Sequence, residues 1–170
     1  MGIIDIKIFE IKSDEKDLYK AFLSIGLVED EENFRITLND DLNSSFPTKD
    51  KEDSFTLGAF IEHQLVGVVS FERDGSNREK LQHKGILFRM YVSKDFRGLG
   101  IAKKLIQELI DKVIRIKDIE QINLTVISNN KNAKVLYEKF NFVTFGSEEN
   151  AIKWKNKYFS EDQMVLKINS

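Results

Sequence analysis

Polar and apolar residues alternate from Asp5 to Phe9, the period of a strand with one face in a core and the other in water. Ser13 then stands ahead of Asp14 and Glu15, and Leu18, Phe22, Leu23 and Ile25 follow at near-helical spacing, which predicts a helix. A second, short helical pattern holds Phe34 and Leu38. From Asn39 to Ser54 the chain turns to Asn, Asp, Ser and Lys around its single proline, Pro47, and reads as a solvated, flexible loop. Phe55 to Ile61 and Leu65 to Phe71 are β-rich runs separated by Glu62, His63 and Gln64, the pattern of an antiparallel hairpin. Arg73 to Lys84 is a polar excursion. Ile86 to Val92 is a third apolar run, and it leads through Arg97-Gly98-Leu99-Gly100-Ile101-Ala102 into a helix. There Ile101, Leu105, Leu109 and Val113 recur every four positions, flanked by Ile106, Ile110 and Ile114, so a wide face should be buried. Ile122, Leu124 and Val126 alternate as a strand, Lys131 to Lys139 reads as a short helix, and Phe142 to Phe145 and Met164 to Ile168 supply two more strands.

Composition narrows the chemistry. The 170 residues suit one core, so a single domain over residues 1–170 is the expectation. With 41% hydrophobic and 32% charged residues, wholesale disorder is excluded. A net charge of -2 provides no broad basic field, so nucleic acid is not expected as a partner and small molecules or peptides are. No stretch approaches the length of a bilayer span and the first ten residues lack the build of a secretion signal, so neither membrane insertion nor export is expected and a cytoplasmic location is. Without cysteine, and with His63 and His83 as the only histidines, the chain offers no disulfide, no thiol nucleophile and no cysteine- or histidine-rich metal centre.

The strand, glycine turn and helix beginning near Val92 form the strongest constellation. A helix N-terminus carries unpaired backbone N-H groups and the positive end of the helix dipole, and glycines let a phosphate approach them closely. The same two glycines also serve a simple tight connection. A triphosphate loop would need Gly-Lys-Ser/Thr, which follows neither Gly98 nor Gly100. A dinucleotide fold would need a third glycine where Lys103 stands and an acid closing the next strand, whereas Glu120 precedes the strand at Ile122.

Val92-x4-Arg97-Gly98-x-Gly100-Ile101-Ala102 resembles the pyrophosphate motif of the GNAT superfamily of N-acyltransferases, Gln/Arg-x-x-Gly-x-Gly/Ala. Val126-x3-Asn130-x2-Ala133-x2-Leu136-Tyr137-Glu138-Lys139-Phe140-Asn141-Phe142 is similar to that family's second motif, one helix and one strand downstream. The likeness runs from about Phe55 to the C-terminus, including Lys80-x2-His83-Lys84 and Met164-x-Leu166. It implies a mixed α/β fold: a twisted, mostly antiparallel sheet of about six or seven strands, one parallel step, and helices on both faces. It also implies acetyl-CoA as co-substrate and an amine acceptor. By resemblance Met90, Tyr91 and Val92 meet the pantetheine arm and acetyl carbonyl, Arg97, Gly98, Leu99, Gly100, Ile101 and Ala102 meet the pyrophosphate, and Asn130 caps the short helix and touches the cofactor. A backbone N-H near Met90 would steady the developing oxyanion. The family has glycine where Asn141 stands, and asparagine also tolerates the left-handed helix stop.

Tyr137 is the residue the resemblance assigns as general acid, protonating the departing thiolate. Spacing alone favours a core tyrosine in a stripe with Leu136 and Phe140, and the motif match reverses that preference. For the base, Glu72, His83 and a water chain stay open, and either side chain also fits a plain surface position. Arg89 interrupts an apolar strand, either to select an anionic substrate or to pair with Glu72 across the sheet. Lys153-Trp154-Lys155-Asn156-Lys157-Tyr158 alternates cations with aromatics as a base-stacking surface would, but reads better as a hairpin with lysines in water and aromatics packed. The expectation is therefore an acetyl-CoA-dependent N-acyltransferase working by direct transfer. A non-catalytic acyl-CoA-binding domain is the alternative, and no residue decides for or against a homodimer.

Overall fold

The computed structural model describes residues 2–168. The outermost positions of the expected domain, 1, 169 and 170, lie outside the described residues. Seven strands form one sheet in the order β1-β2-β3-β4-β5-β7-β6. They are β1 (Lys7–Ile11), β2 (Ser54–Ile61), β3 (Gln64–Arg73), β4 (Lys84–Val92), β5 (Gln121–Ile127), β6 (Val143–Trp154) and β7 (Lys157–Lys167). Every neighbouring pair is antiparallel except β4 with β5. The hairpin turn joining β2 to β3 is tighter than the sequence pattern suggests. Glu62 and His63, both at positive φ, make the turn, and Gln64 already pairs with Ile61.

Four helices cover the two faces: α1 (Lys16–Glu29), α2 (Leu38–Leu42), α3 (Ile101–Ile114) and α4 (Lys131–Lys139). α3 buries Ile101, Leu105, Ile106, Leu109, Ile110 and Val113 in a core shared with β2 to β5, α4, Phe142 just ahead of β6, and β7. Its last isoleucine departs from expectation: Ile114 is half exposed, because the helix has by then rotated its stripe past the sheet. On the opposite face α1 buries Tyr19, Phe22, Leu23, Gly26 and Leu27 against Leu65, Val68 and Tyr91. Leu18 and Ile25, placed on that stripe by sequence spacing, are exposed instead. Gly26 is required where it stands, since a Cβ there would come within 2.7 Å of the Tyr91 ring.

The segment before β2 differs most from the sequence reading. α2 holds Leu38 but not Phe34, whose backbone is extended, and Thr37 caps the helix by accepting from the Asp40 N-H at 3.1 Å. Asn39 to Ser54 is likewise not uniformly solvated: Asp41, Thr48 and Ser54 are buried. A chain of hydroxyls, Thr48 to Thr56 to Ser70 at 2.8 Å each, ties the loop to the sheet. The β6-β7 hairpin turns at Lys155 and Asn156, both at positive φ. Lys155 and Lys157 pair with Glu31 and Glu32, but the aromatics are less packed than expected, Tyr158 being exposed with Lys153 over its ring. Among the described residues, no helix is long and apolar enough to cross a membrane.

Tyr19 sits wholly inside, its hydroxyl without a hydrogen-bond partner, and burial pushes its pKa up to about 12. An acid weakened by folding stabilises the native state fully below its unfolded value, and that contribution disappears as pH climbs through the raised one. Urea unfolding should therefore show stability falling between about pH 10, the ordinary tyrosine value, and about 12. Tyr19→Phe should flatten part of that fall while costing little at neutral pH, because it deletes a hydroxyl that bonds nothing. An identical alkaline limb in the variant would contradict this.

Candidate active site

The parallel ladder between β4 and β5 is short. It runs through Lys84 with Gln121, Gly85 with Ile122 and Ile86 with Asn123, and then stops. β4 stays paired with β3 as far as Val92, and β5 with β7 as far as Ile127, so each is held by its outer neighbour while the inner edges part. The result is a slot inside the sheet, edged by backbone groups that no strand satisfies. A cavity of about 310 Å³ opens into it, lined by β4 from Ile86 to Met90, by Leu124 to Val126, by Asn130, Ala133, Leu136 and Tyr137, and by residues 33–36.

β4 is bent at the slot. Arg89 and Met90 together oppose Val69 on β3, a β-bulge, and Arg89 takes φ of 51°. A left-handed backbone at a non-glycine residue costs about 1–3 kcal/mol. It re-aims Met90 into the cavity while the Tyr91 ring goes to the other face, 5.3 Å from Phe22 and 5.8 Å from Phe34. Of the three β4 residues expected at the arm, Met90 alone has a place in the cavity lining. Tyr91 is buried beneath α1, and Val92 accepts from Arg97 Nε at 3.2 Å.

Beyond β4 the chain makes a 3₁₀ turn and reaches Gly98 and Gly100, with φ of 80° and 82°. A Cβ at either would meet nothing within 4 Å, so the backbone angle alone demands glycine and the space above is open. α3 then starts with no side-chain cap and no acidic residue in its first turn, where Lys103 and Lys104 stand instead. Uncapped N-H groups, the positive helix end and room above them fit a diphosphate. Leu99 is partly exposed and Ile101 anchors the turn in the core. The Arg97 side chain turns aside: its Nη2 meets Asp30 at 2.5 Å and its Cζ lies 5.9 Å from the Tyr91 ring centroid.

Asn130 caps α4, its Oδ1 accepting from the Ala133 N-H at 3.2 Å, as the sequence suggested. Asn141 ends that helix at φ of 69°, in the left-handed conformation. Tyr137 lies edge-on to Phe142, centroids 5.7 Å apart, and lines the cavity. Burial drives its pKa well above the ordinary phenol value. Spacing favours a core role and the motif a cavity role for this side chain, and its ring fills the first while its position meets the second.

Neither proposed base reaches the cavity lining. Glu72 lies 3.9 Å from Lys49 and lines a shallower hollow with Arg73 to Arg78, while His83 sits in the turn before β4 with its carbonyl accepting from Glu120 N at 2.7 Å. The Arg89-Glu72 pair suggested by the sequence does not form. Arg89 Nη1 faces Asp41 Oδ1 at 3.9 Å instead, because the bulge swings it toward α2. Arg35, Asp41 and Glu161 were not foreseen at the site. Arg35 Nε meets the buried Glu161 at 2.7 Å. An arginine within an apolar run is the one signal that pointed there; Asp41, in a polar segment, gave none.

The model of the acetyltransferase (GNAT) family matches residues 15–142. Spermine/spermidine N(1)-acetyltransferase of Bacillus subtilis (strain 168) is 28% identical over 90 residues, 51% of this chain and 57% of that one. Streptothricin acetyltransferase of Escherichia coli is 30% identical over 113 residues, 66% of this chain and 61% of that one, so the chain spans less than two thirds of either relative. A solved GNAT-family acetyltransferase from Streptococcus pneumoniae superimposes with a TM-score of 0.79 at 25% identity, over 97% of this chain and all, 100%, of that one. An N-acetyltransferase from Staphylococcus aureus Mu50 shares the fold, with a TM-score of 0.80 at 18% identity over 97% of this chain and 99% of that one. The parted strands, the open glycine turn and a family match spanning most of the sequence agree, and the chain belongs to the acetyltransferase (GNAT) family.

Proposed function

We propose that the protein is an N-acetyltransferase that moves the acetyl group of acetyl-CoA to a primary amine in one step. The observation that carries this reading is the loss of pairing between β4 and β5 directly beside an uncapped, open glycine turn. Amides of residues 98–103 would hold the diphosphate, and the bare edges of β4 and β5 the amide groups of the arm. The curated relatives are named for amine substrates, spermine or spermidine and streptothricin, which favours an amine acceptor here.

Acetyl-CoA supplies an activated thioester carbonyl when bound. The Met90 N-H, at the bulge, is suited to meet charge building on the carbonyl oxygen, and one such donor is worth about 3 kcal/mol. A new C-N bond forms as the C-S bond breaks. Tyr137 gives its proton to the leaving sulfur and is reprotonated from solvent, while the amine proton departs through water. Burial suits Tyr137 to this role, because its raised pKa keeps the phenol protonated throughout the working pH range. A covalent enzyme intermediate has little support: the chain has no cysteine and the cavity lining contains neither serine nor lysine.

Tyr137→Phe should lower kcat by about a hundredfold or more, with coenzyme A affinity by calorimetry essentially unchanged. Normal turnover in that variant would remove Tyr137 from the chemistry. Gly100→Val should weaken coenzyme A binding by about tenfold or more, because a β-branched residue resists the left-handed angle that the turn needs. Undiminished affinity in a folded variant would place the diphosphate elsewhere. The reaction itself is tested by thiol release from acetyl-CoA across a panel of amines, where absence of turnover despite coenzyme A binding would replace the enzyme by a binding domain.

A further inference from the structure

We propose that the acceptor is an amine that also carries a carboxylate, an amino acid or short peptide, gripped by Arg89 and Arg35; this rests on the acyl-transfer reading of the same cavity. Charge around the cavity is one-sided. Its lining includes two charged side chains, both arginines, and no carboxylate. The acids nearby stand behind the arginines: Asp41 and Glu161, both nearly inaccessible, meet Arg89 and Arg35 at 3.9 Å and 2.7 Å without lining the cavity. They serve as anchors, holding two guanidinium groups at the wall.

Arg89 retains unused donor capacity. Its Nη1 is buried against Asp41 at 3.9 Å, while the side chain as a whole keeps 19% of its surface open and lines the cavity. A guanidinium offers a planar fork of donors that matches a carboxylate's two oxygens. The strained bulge that aims this residue is what a specific recognition role would retain. Arg89 also adjoins Met90, so its charge lies beside the place proposed for the acetyl carbonyl rather than at the distant phosphate turn. Arg35 lines the same cavity and is largely exposed along its side chain, its Nε held by Glu161 and its two terminal nitrogens left for an anion.

The missing base points the same way. No carboxylate or imidazole lines the cavity, so the nucleophile must lose its proton with little help. The N-terminal α-amine of a peptide, with a pKa of about 7.7–8.0, does so far more readily than an alkylamine near about 10.4, which favours a short peptide over a free amino acid. A polyamine, by contrast, finds no carboxylate in the cavity lining to pair with its further charges. The acids of the adjoining groove do not offset this: Glu31 and Glu32 are paired with Lys155 and Lys157 at 2.8 Å and 3.5 Å, and Asp40 accepts from the Thr37 N-H at 2.9 Å.

Thiol release should be measured with amino acids and dipeptides, each beside its C-terminal amide, and with spermidine. The expected result is a kcat/KM for the carboxylate forms at least about tenfold above that for the amides, and higher still relative to spermidine. Arg35→Gln and Arg89→Lys should erode that preference mainly through KM, since the carboxylate is held equally before and during reaction. Arg35→Gln is an exposed change that keeps the test valid if substitutions at Arg89 disturb folding. Turnover that favours the amides or spermidine would overturn this acceptor assignment while leaving the acyltransferase intact. Preference unaltered in both variants would overturn the role of the arginines. Coenzyme A binding with no turnover of any amine would overturn the transfer reaction, and the acceptor assignment with it.

Discussion

After Ile86 and Asn123 the hydrogen-bond ladder between β4 and β5 ends, and the rest of the molecule is arranged around that interruption. Parting two strands inside a sheet exposes main-chain donors and acceptors whose burial without partners would be costly. The structure sustains the gap because each strand is fastened on its far side, β4 to β3 and β5 to β7. Helices on opposite faces then prevent the sheet from closing. α1 packs against the Tyr91 ring on one face, and α4 places Tyr137 and Leu136 along the slot on the other. A ligand arm with its own amide groups is the natural substitute for the missing strand pairing.

The turn at Gly98 and Gly100 completes that arrangement from one end. Both glycines take angles that other residues resist, and neither is crowded, so their value lies in backbone shape and clearance. Arg97, the most conspicuous cation of the motif, is drawn to Asp30, so the open turn presents main-chain groups without it. The β4 bulge shapes the middle of the slot, setting Met90 toward the cavity and Arg89 toward Asp41.

Elements with one strong periodic face were legible in the sequence. α3 buries a regular stripe, and β2 and β3 are nearly continuous apolar runs buried on both faces, so their positions follow from the pattern, whereas α4 fully buries Tyr137 alone. β6 was nearly invisible beyond its start because it is the sheet edge and mostly exposed, leaving no alternation to read. Leu18 and Ile25 misled because α1 uses Tyr19 and Gly26 on the stripe where a hydrophobicity count favours their neighbours. At the site, the glycine turn and Asn130 could be read locally, since their roles lie in their own backbone and capping preferences. The pairing of Arg89 with Asp41 spans distant parts of the chain and depends on a bulge, so no local pattern encodes it.

Coenzyme A, as proposed, is received by main-chain amides at the head of α3 and along the slot. An amide NMR titration with coenzyme A tests this most directly, residue by residue. The largest shifts are expected at the amides of Gly98 to Lys103 and at Met90, with those of Lys117 and Asp118, beyond the other end of α3, unmoved. Saturable binding that leaves the Gly98 to Lys103 amides undisturbed would contradict this placement.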